Sequence, residues 1–84
     1  MELEFKRSAL KQLKHYKKKN PSAYKIIYKK LSEIMENPND VRYEKVKKYP
    51  KYKRARQGKY RICFKVSNNC IYIGHIDDRS KVYD

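Results

Sequence analysis

The chain has 84 residues, and its 23 lysines and arginines against 9 acidic residues give a formal charge of +14. That length holds one domain, residues 1–84, with a marginal core, and the charge calls for a polyanionic partner, nucleic acid or an acidic protein. No apolar run reaches the length of a membrane span and no N-terminal stretch resembles a signal peptide, so a cytoplasmic setting is expected and the membrane is excluded as a partner.

The first segment, MELEFK from Met1 to Lys6, alternates Leu3 and Phe5 with charged residues and predicts a short half-buried strand. Ser8 is placed to cap a helix running to about Lys19, with Leu10, Leu13 and Tyr16 as its apolar stripe. Asn20-Pro21 stops that helix and starts another, Asn20 as N-cap and Pro21 at the first helical position. The second helix carries Tyr24, Ile27, Tyr28, Leu31, Ile34 and Met35 at three- and four-residue spacing, and Asn37-Pro38 ends it. So short a link makes the pair an αα-hairpin. From about Asn39 to Lys51 there is no clean period, and Val41, Tyr43, Val46 and Tyr49 are available to pin a connection down.

Three strands follow, near 52–57, 60–66 and 70–76. Gly58-Lys59 reads as a two-residue type II′ turn. It sets Arg56 opposite Arg61, Ala55 opposite Ile62, Arg54 opposite Cys63 and Tyr52 opposite Lys65. Side chains alternate faces along a strand. One face then holds Ala55, Tyr60, Ile62, Phe64 and Val66, and the other Tyr52, Arg54, Arg56, Arg61 and Lys65. A second turn at Asn68-Asn69 pairs Val66 with Ile71, Phe64 with Ile73 and Ser67 with Cys70, which leaves His75 opposite Ile62 on the apolar side. In that register Cys63 and Cys70 stand roughly 13 Å apart at about 3.3 Å per residue, too far for a disulfide. Two cysteines with two distant histidines make no zinc site, so neither metal nor cofactor is expected. The fold class is α+β: an N-terminal strand, then an αα-hairpin packed on one face of an antiparallel β-sheet.

The opposite sheet face is left uncovered and basic. Like charges directly opposite destabilise a strand pair, so such a face is expected to hold a polyanion. The nine tyrosines suit core edges, interfaces and base stacking alike. Tyr52 and Tyr72, beside Lys65, are either stacking platforms or rings shielding the sheet edge. Arg61 is expected to face solvent, so that its loss leaves the fold intact.

Taken in order, the pieces resemble the RelE/ParE superfamily of bacterial and archaeal toxins, and its RelE branch in particular. They are the N-terminal strand leading into FKRSALKQLK, the ENP at Glu36–Pro38, the basic strand RAR at Arg54–Arg56, GKYRICFKV from Gly58, IYIGH from Ile71 and RSKVY from Arg79. The resemblance covers nearly the whole chain. It implies a RelE-like fold and the toxin of a type II toxin–antitoxin system, a ribosome-dependent endoribonuclease that cuts messenger RNA in the ribosomal A site. It implies an acidic, RelB-like antitoxin that wraps the basic domain in a higher-order complex. By the same resemblance the cleavage residues map onto Arg54, Arg56, Arg61, Arg79 and Tyr83. Tyr52, Lys53, Lys65 and Tyr72 are expected to contact RNA. The segment between Gly74 and Arg79 is longer than the family's usual pattern.

Cleavage by 2′-OH attack needs a base, charge stabilisation and an acid. His15 and His75 read as structural or solvated. The acidic residues, Asp77-Asp78 among them, are expected away from the basic face, so a conventional acid–base pair is missing. Arginines suited to phosphate remain, with Tyr83 either deprotonated by neighbouring cations or stacked on a base. An incomplete site fits an enzyme whose ribosome finishes the geometry. The alternatives are a ParE-like toxin that blocks DNA gyrase without RNA chemistry, and a plain nucleic-acid-binding domain with steep salt dependence.

Overall fold

Left-handed backbone at three residues sets the sheet register. Gly58 sits at φ +59°, and Asn68 and Asn69 at φ 50° and 60°, values that glycine and asparagine tolerate and that tight hairpins require. The computed structural model describes residues 1–78. Its strands are β1 (Glu2–Phe5), β2 (Glu44–Lys45), β3 (Lys53–Gln57), β4 (Tyr60–Ser67) and β5 (Cys70–Asp78), and its helices α1 (Arg7–Lys19) and α2 (Pro21–Glu36). The five strands form one sheet in the order β1-β5-β4-β3-β2. Both hairpins have the expected register, with Arg54 opposite Cys63, Arg56 opposite Arg61 and Ser67 opposite Cys70. The sheet is mixed rather than wholly antiparallel, because β1 lies parallel to β5, Glu2 beside Cys70 and Phe5 beside Ile73.

The register between β4 and β5 shifts after Phe64–Ile73: Cys63 meets His75 and Ile62 meets Ile76. Gly74 is the extra residue of this bulge. Beyond it every side chain changes face relative to strict alternation. His75, expected among the core residues opposite Ile62, is therefore on the other face and exposed, and Ile76 takes the buried position.

The helices cover the apolar face. Phe64, Ile27, Ile34, Ile62, Ile71, Ile73 and Ile76 are essentially inaccessible, each contributing about 1.5–3 kcal/mol by burial. Asn20 caps α2 as expected, its Oδ1 accepting from the Ala23 amide at 3.2 Å. Ser8 does not cap α1. The Lys6 amide donates to the Ile73 carbonyl at 2.9 Å, carrying the β1–β5 pairing straight into the helix, and Lys6 itself takes the cap position. Further along α1, Gln12 Oε1 accepts from the Ile76 amide at 3.0 Å, satisfying β5 where β1 has ended.

The buried stripes are rotated from those expected. On α1 Ala9 is buried and Leu10 lies outside; on α2 Ala23, Ile27, Lys30, Leu31 and Ile34 face inward while Tyr28 and Met35 are exposed. Lys30 is tolerated there because its Nζ reaches Glu33 Oε1 at 2.9 Å. In the connection Tyr43 and Val46 are buried, and Tyr43 meets Phe64 edge-on at 5.5 Å, whereas Val41 and Tyr49 are exposed. Val66 at the end of β4 is exposed as well. No described helix is long and apolar enough to cross a membrane.

Candidate nucleic-acid interface

On the sheet face that the helices leave open, cross-strand pairing arranges the side chains in three rows. The first runs Arg56, Arg61, Asp77 across β3, β4 and β5. Its second begins on β2 and runs Glu44, Arg54, Cys63, His75. In the third, Lys65 Nζ lies 5.6 Å from the Tyr52 ring centre and 5.5 Å from that of Tyr72, a cation held between two aromatic faces.

Carboxylates relieve the crowding of like charge in the first row. Arg61 Nε donates to Asp77 Oδ1 at 3.0 Å, and Arg56 reaches Glu44 Oε1 at 3.4 Å. The acidic groups are thus not all away from the basic face. Asp77 is turned onto it by the bulge at Gly74, and Glu44 is brought to it by a two-residue strand too short for sequence alternation to reveal. Arg54 differs from both neighbours: among the described residues it forms no ion pair. It lies against the half-buried Cys63 thiol, which burial pushes up from the usual thiol range while the Arg54 guanidinium pulls it back in part.

Arg54 opens into a cleft of about 480 Å³ on this face. Lys6 and Ser8 line it from the start of α1, Lys48, Tyr49 and Tyr52 from the connection, and Cys63, Gly74, His75 and Asp77 from β4 and β5. Tyr52 packs close against the bulge because residue 74 is a glycine: a Cβ there would stand 2.7 Å from Tyr52 Cε2. His75 Nε2 is 3.4 Å from Asp77 Oδ2. Tyr72 has its hydroxyl raised above the usual phenol range, first by the charge of Glu4 on the adjacent strand. Among the described residues no group of three or more metal-ligating side chains converges.

The structure therefore brings Tyr52, Arg54, Arg56, Arg61, Lys65 and Tyr72 onto one face. Lys53 is on the other, since its cross-strand partner is the buried Phe64. Arg79 and Tyr83 lie outside the described residues. Sequence reasoning missed Lys6, Lys48, His75 and Asp77 as members of this site. A lone glycine inside β5 was the one signal for the last two, since interior strand glycines mark bulges.

The family profile described as "ParE toxin of type II toxin-antitoxin system, parDE" matches residues 3–83. No curated protein sequence matches the chain. Among solved structures, the YoeB/ParE toxin from Agrobacterium tumefaciens superposes with TM-score 0.83 at 14% identity, covering 93% of this chain and 98% of its own. A chain of the intact E. coli RelBE toxin-antitoxin complex gives TM-score 0.75 at 21% identity, covering 92% and 94%. A chain of the RelB-RelE antitoxin-toxin complex from Methanococcus jannaschii gives 0.68 at 29%, covering 96% and 95%.

Proposed function

The chain belongs to the ParE toxin family of type II toxin–antitoxin systems, within the RelE/ParE superfamily, and we propose that it acts by cutting messenger RNA in the ribosomal A site. The observation that carries this reading is the Arg54 guanidinium, in no ion pair among the described residues, opening into a basic, tyrosine-lined cleft. A guanidinium with no carboxylate partner among the described residues is suited to a phosphate, where it stabilises the charge that builds on the non-bridging oxygens as the 2′-hydroxyl attacks. Tyr52, Lys65 and Tyr72 offer ring faces and a cation to the flanking nucleotides. Arg56 and Arg61 exchange their carboxylate partners for phosphate as RNA docks, and Arg79 and Tyr83 complete the site from the C-terminal residues.

The same charge needs a cover when the toxin is silent. An acidic, RelB-like antitoxin in a higher-order complex fits, and the fold is shared with toxins solved as RelBE, RelB-RelE and YoeB-YefM complexes. The reading sets the protein in the cytoplasm, where translating ribosomes are.

Mapping of cut sites on a translated messenger tests it. Cuts confined to ribosome-occupied codons, with naked RNA untouched, are the expected result; equal cutting of naked RNA overturns the dependence on the ribosome. A second reading, inhibition of DNA gyrase without RNA chemistry, is favoured by the name of the matching family. It requires blocked supercoiling by the purified protein and an intact messenger.

A further inference from the structure

The cleft is larger than one phosphodiester needs. Its volume of about 480 Å³ lies in the range of small-molecule sites, about 300–1,000 Å³. We propose that it also binds a free nucleoside diphosphate, which competes with messenger RNA and so restrains the toxin. The competition rests on the ribonuclease reading above; the binding itself does not.

The walls of the site are complete in the isolated chain. Lys6 comes from the β1–α1 joint, Lys48 and Tyr49 from the connection, Tyr52 from the residue before β3, and Arg54 from β3 itself. Among the described residues none of these three cations forms an ion pair. One carboxylate lines the cleft, Asp77, and in the free protein Arg61 holds it at 3.0 Å. The lining therefore carries a surplus of positive charge drawn from three separate elements. Adjacent phosphates on one nucleoside match it: lysines meet them as point charges and the guanidinium as a planar fork. A free diphosphate is small enough to enter whenever the cleft is open, with no ribosome to present it.

Charge alone would admit any polyphosphate, and the tyrosines narrow the choice. Tyr49 is 60% exposed at the cleft, with its ring centre 6.4 Å from that of Tyr52 and the planes 72° apart. That edge-to-face contact covers at most one face of the Tyr49 ring and leaves the other open to a nucleobase. Stacking on an aromatic face tolerates every base, so the site takes purine and pyrimidine diphosphates alike. The chemical class is thus a base and two phosphates on one ribose, rather than a phosphate ion or a bare nucleoside.

Calorimetry on the purified protein with adenosine diphosphate, pyrophosphate and adenosine tests the binding, and NMR locates it. Adenosine diphosphate is expected to bind about 5–150-fold more tightly than pyrophosphate, the gain from one stacked base. Tyr49→Ala is expected to erase that gain and leave pyrophosphate binding unchanged, and Tyr49→Phe to keep it. Lys48→Ala is expected to weaken both diphosphates. Equal affinity for adenosine diphosphate and pyrophosphate, a gain that survives Tyr49→Ala, or shifts confined to Lys17, Lys18 and Lys19 at the end of α1 overturns the site.

The competition is read on paused ribosomes with a vacant A site and no translation factors. Adenosine diphosphate is expected to raise the KM for messenger cutting and leave kcat unchanged; a KM that does not move at saturating nucleotide overturns the regulation. Protein that binds the nucleotide but cuts no messenger overturns the ribonuclease reading alone. Protein that cuts the messenger but binds no nucleotide overturns this proposal alone.

Discussion

Arg61 and Asp77 face each other across β4 and β5 with Nε 3.0 Å from Oδ1, and their side chains are only 19% and 17% exposed. The first expectation for Arg61, a solvent-facing cation whose loss leaves the fold untouched, therefore needs revision. Removing one member of a largely desolvated pair leaves the other charge unsatisfied. Arg61→Ala is expected to lower stability by roughly 1.5–3 kcal/mol in urea denaturation. The double change with Asp77→Ala is expected to recover part of that loss.

Arg54 has no such structural duty among the described residues. Arg54→Ala is expected to leave the denaturation midpoint nearly unchanged and to slow messenger cutting by about 10²–10³-fold. Arg56→Ala, whose side chain is half-exposed and bound to Glu44, is expected to do less. Side-by-side rates on one translated messenger check the ranking.

Gly74 and Tyr52 are expected to couple. A methyl at residue 74 enters the space of the Tyr52 ring and pushes it off its place beside Lys65. Gly74→Ala is expected to cost about 1–3 kcal/mol through overpacking and to weaken RNA binding. In a double-mutant cycle, Gly74→Ala placed on a Tyr52→Ala background is expected to cost much less.

The Asp40 carboxyl is held down at about 2, from an ordinary 3.8, first by the side-chain hydrogen bond of Arg42 and then by the Arg42 amide. A carboxyl depressed by folding contributes stability that is complete above its unfolded value and is lost as pH falls toward its folded one. The contribution of this clamp is expected to fade between about pH 4 and pH 2. Carboxyl NMR titration checks the value, and Asp40→Asn is expected to remove that part of the acid sensitivity.

Much of this was legible because turn chemistry is local. Gly58-Lys59 and Asn68-Asn69 set two hairpin registers, and with them the Arg54, Arg56 and Arg61 cluster. Proline and asparagine at 20–21 and 37–38 bounded α2. What was hidden depends on contacts distant in sequence. The β1–β5 pairing removed the need for Ser8 as a cap, and nothing in MELEFK announces a parallel neighbour. The bulge defeated simple alternation and moved His75 and Asp77 across the sheet. The helical stripes turned so that small Ala9 and Ala23 are buried while Leu10 and Tyr28 are exposed.

The place of β1 has a consequence for the order in which the protein comes into being. Glu2 leaves the ribosome 68 residues before its partner Cys70 (70 − 2). Until β5 emerges, β1 has no neighbour, α1 lacks the anchor at Lys6, and the wall of the cleft carrying His75 and Asp77 does not exist. A copy that ends before β5 therefore lacks that wall. The cleft is complete only when β1 meets a strand made long after it.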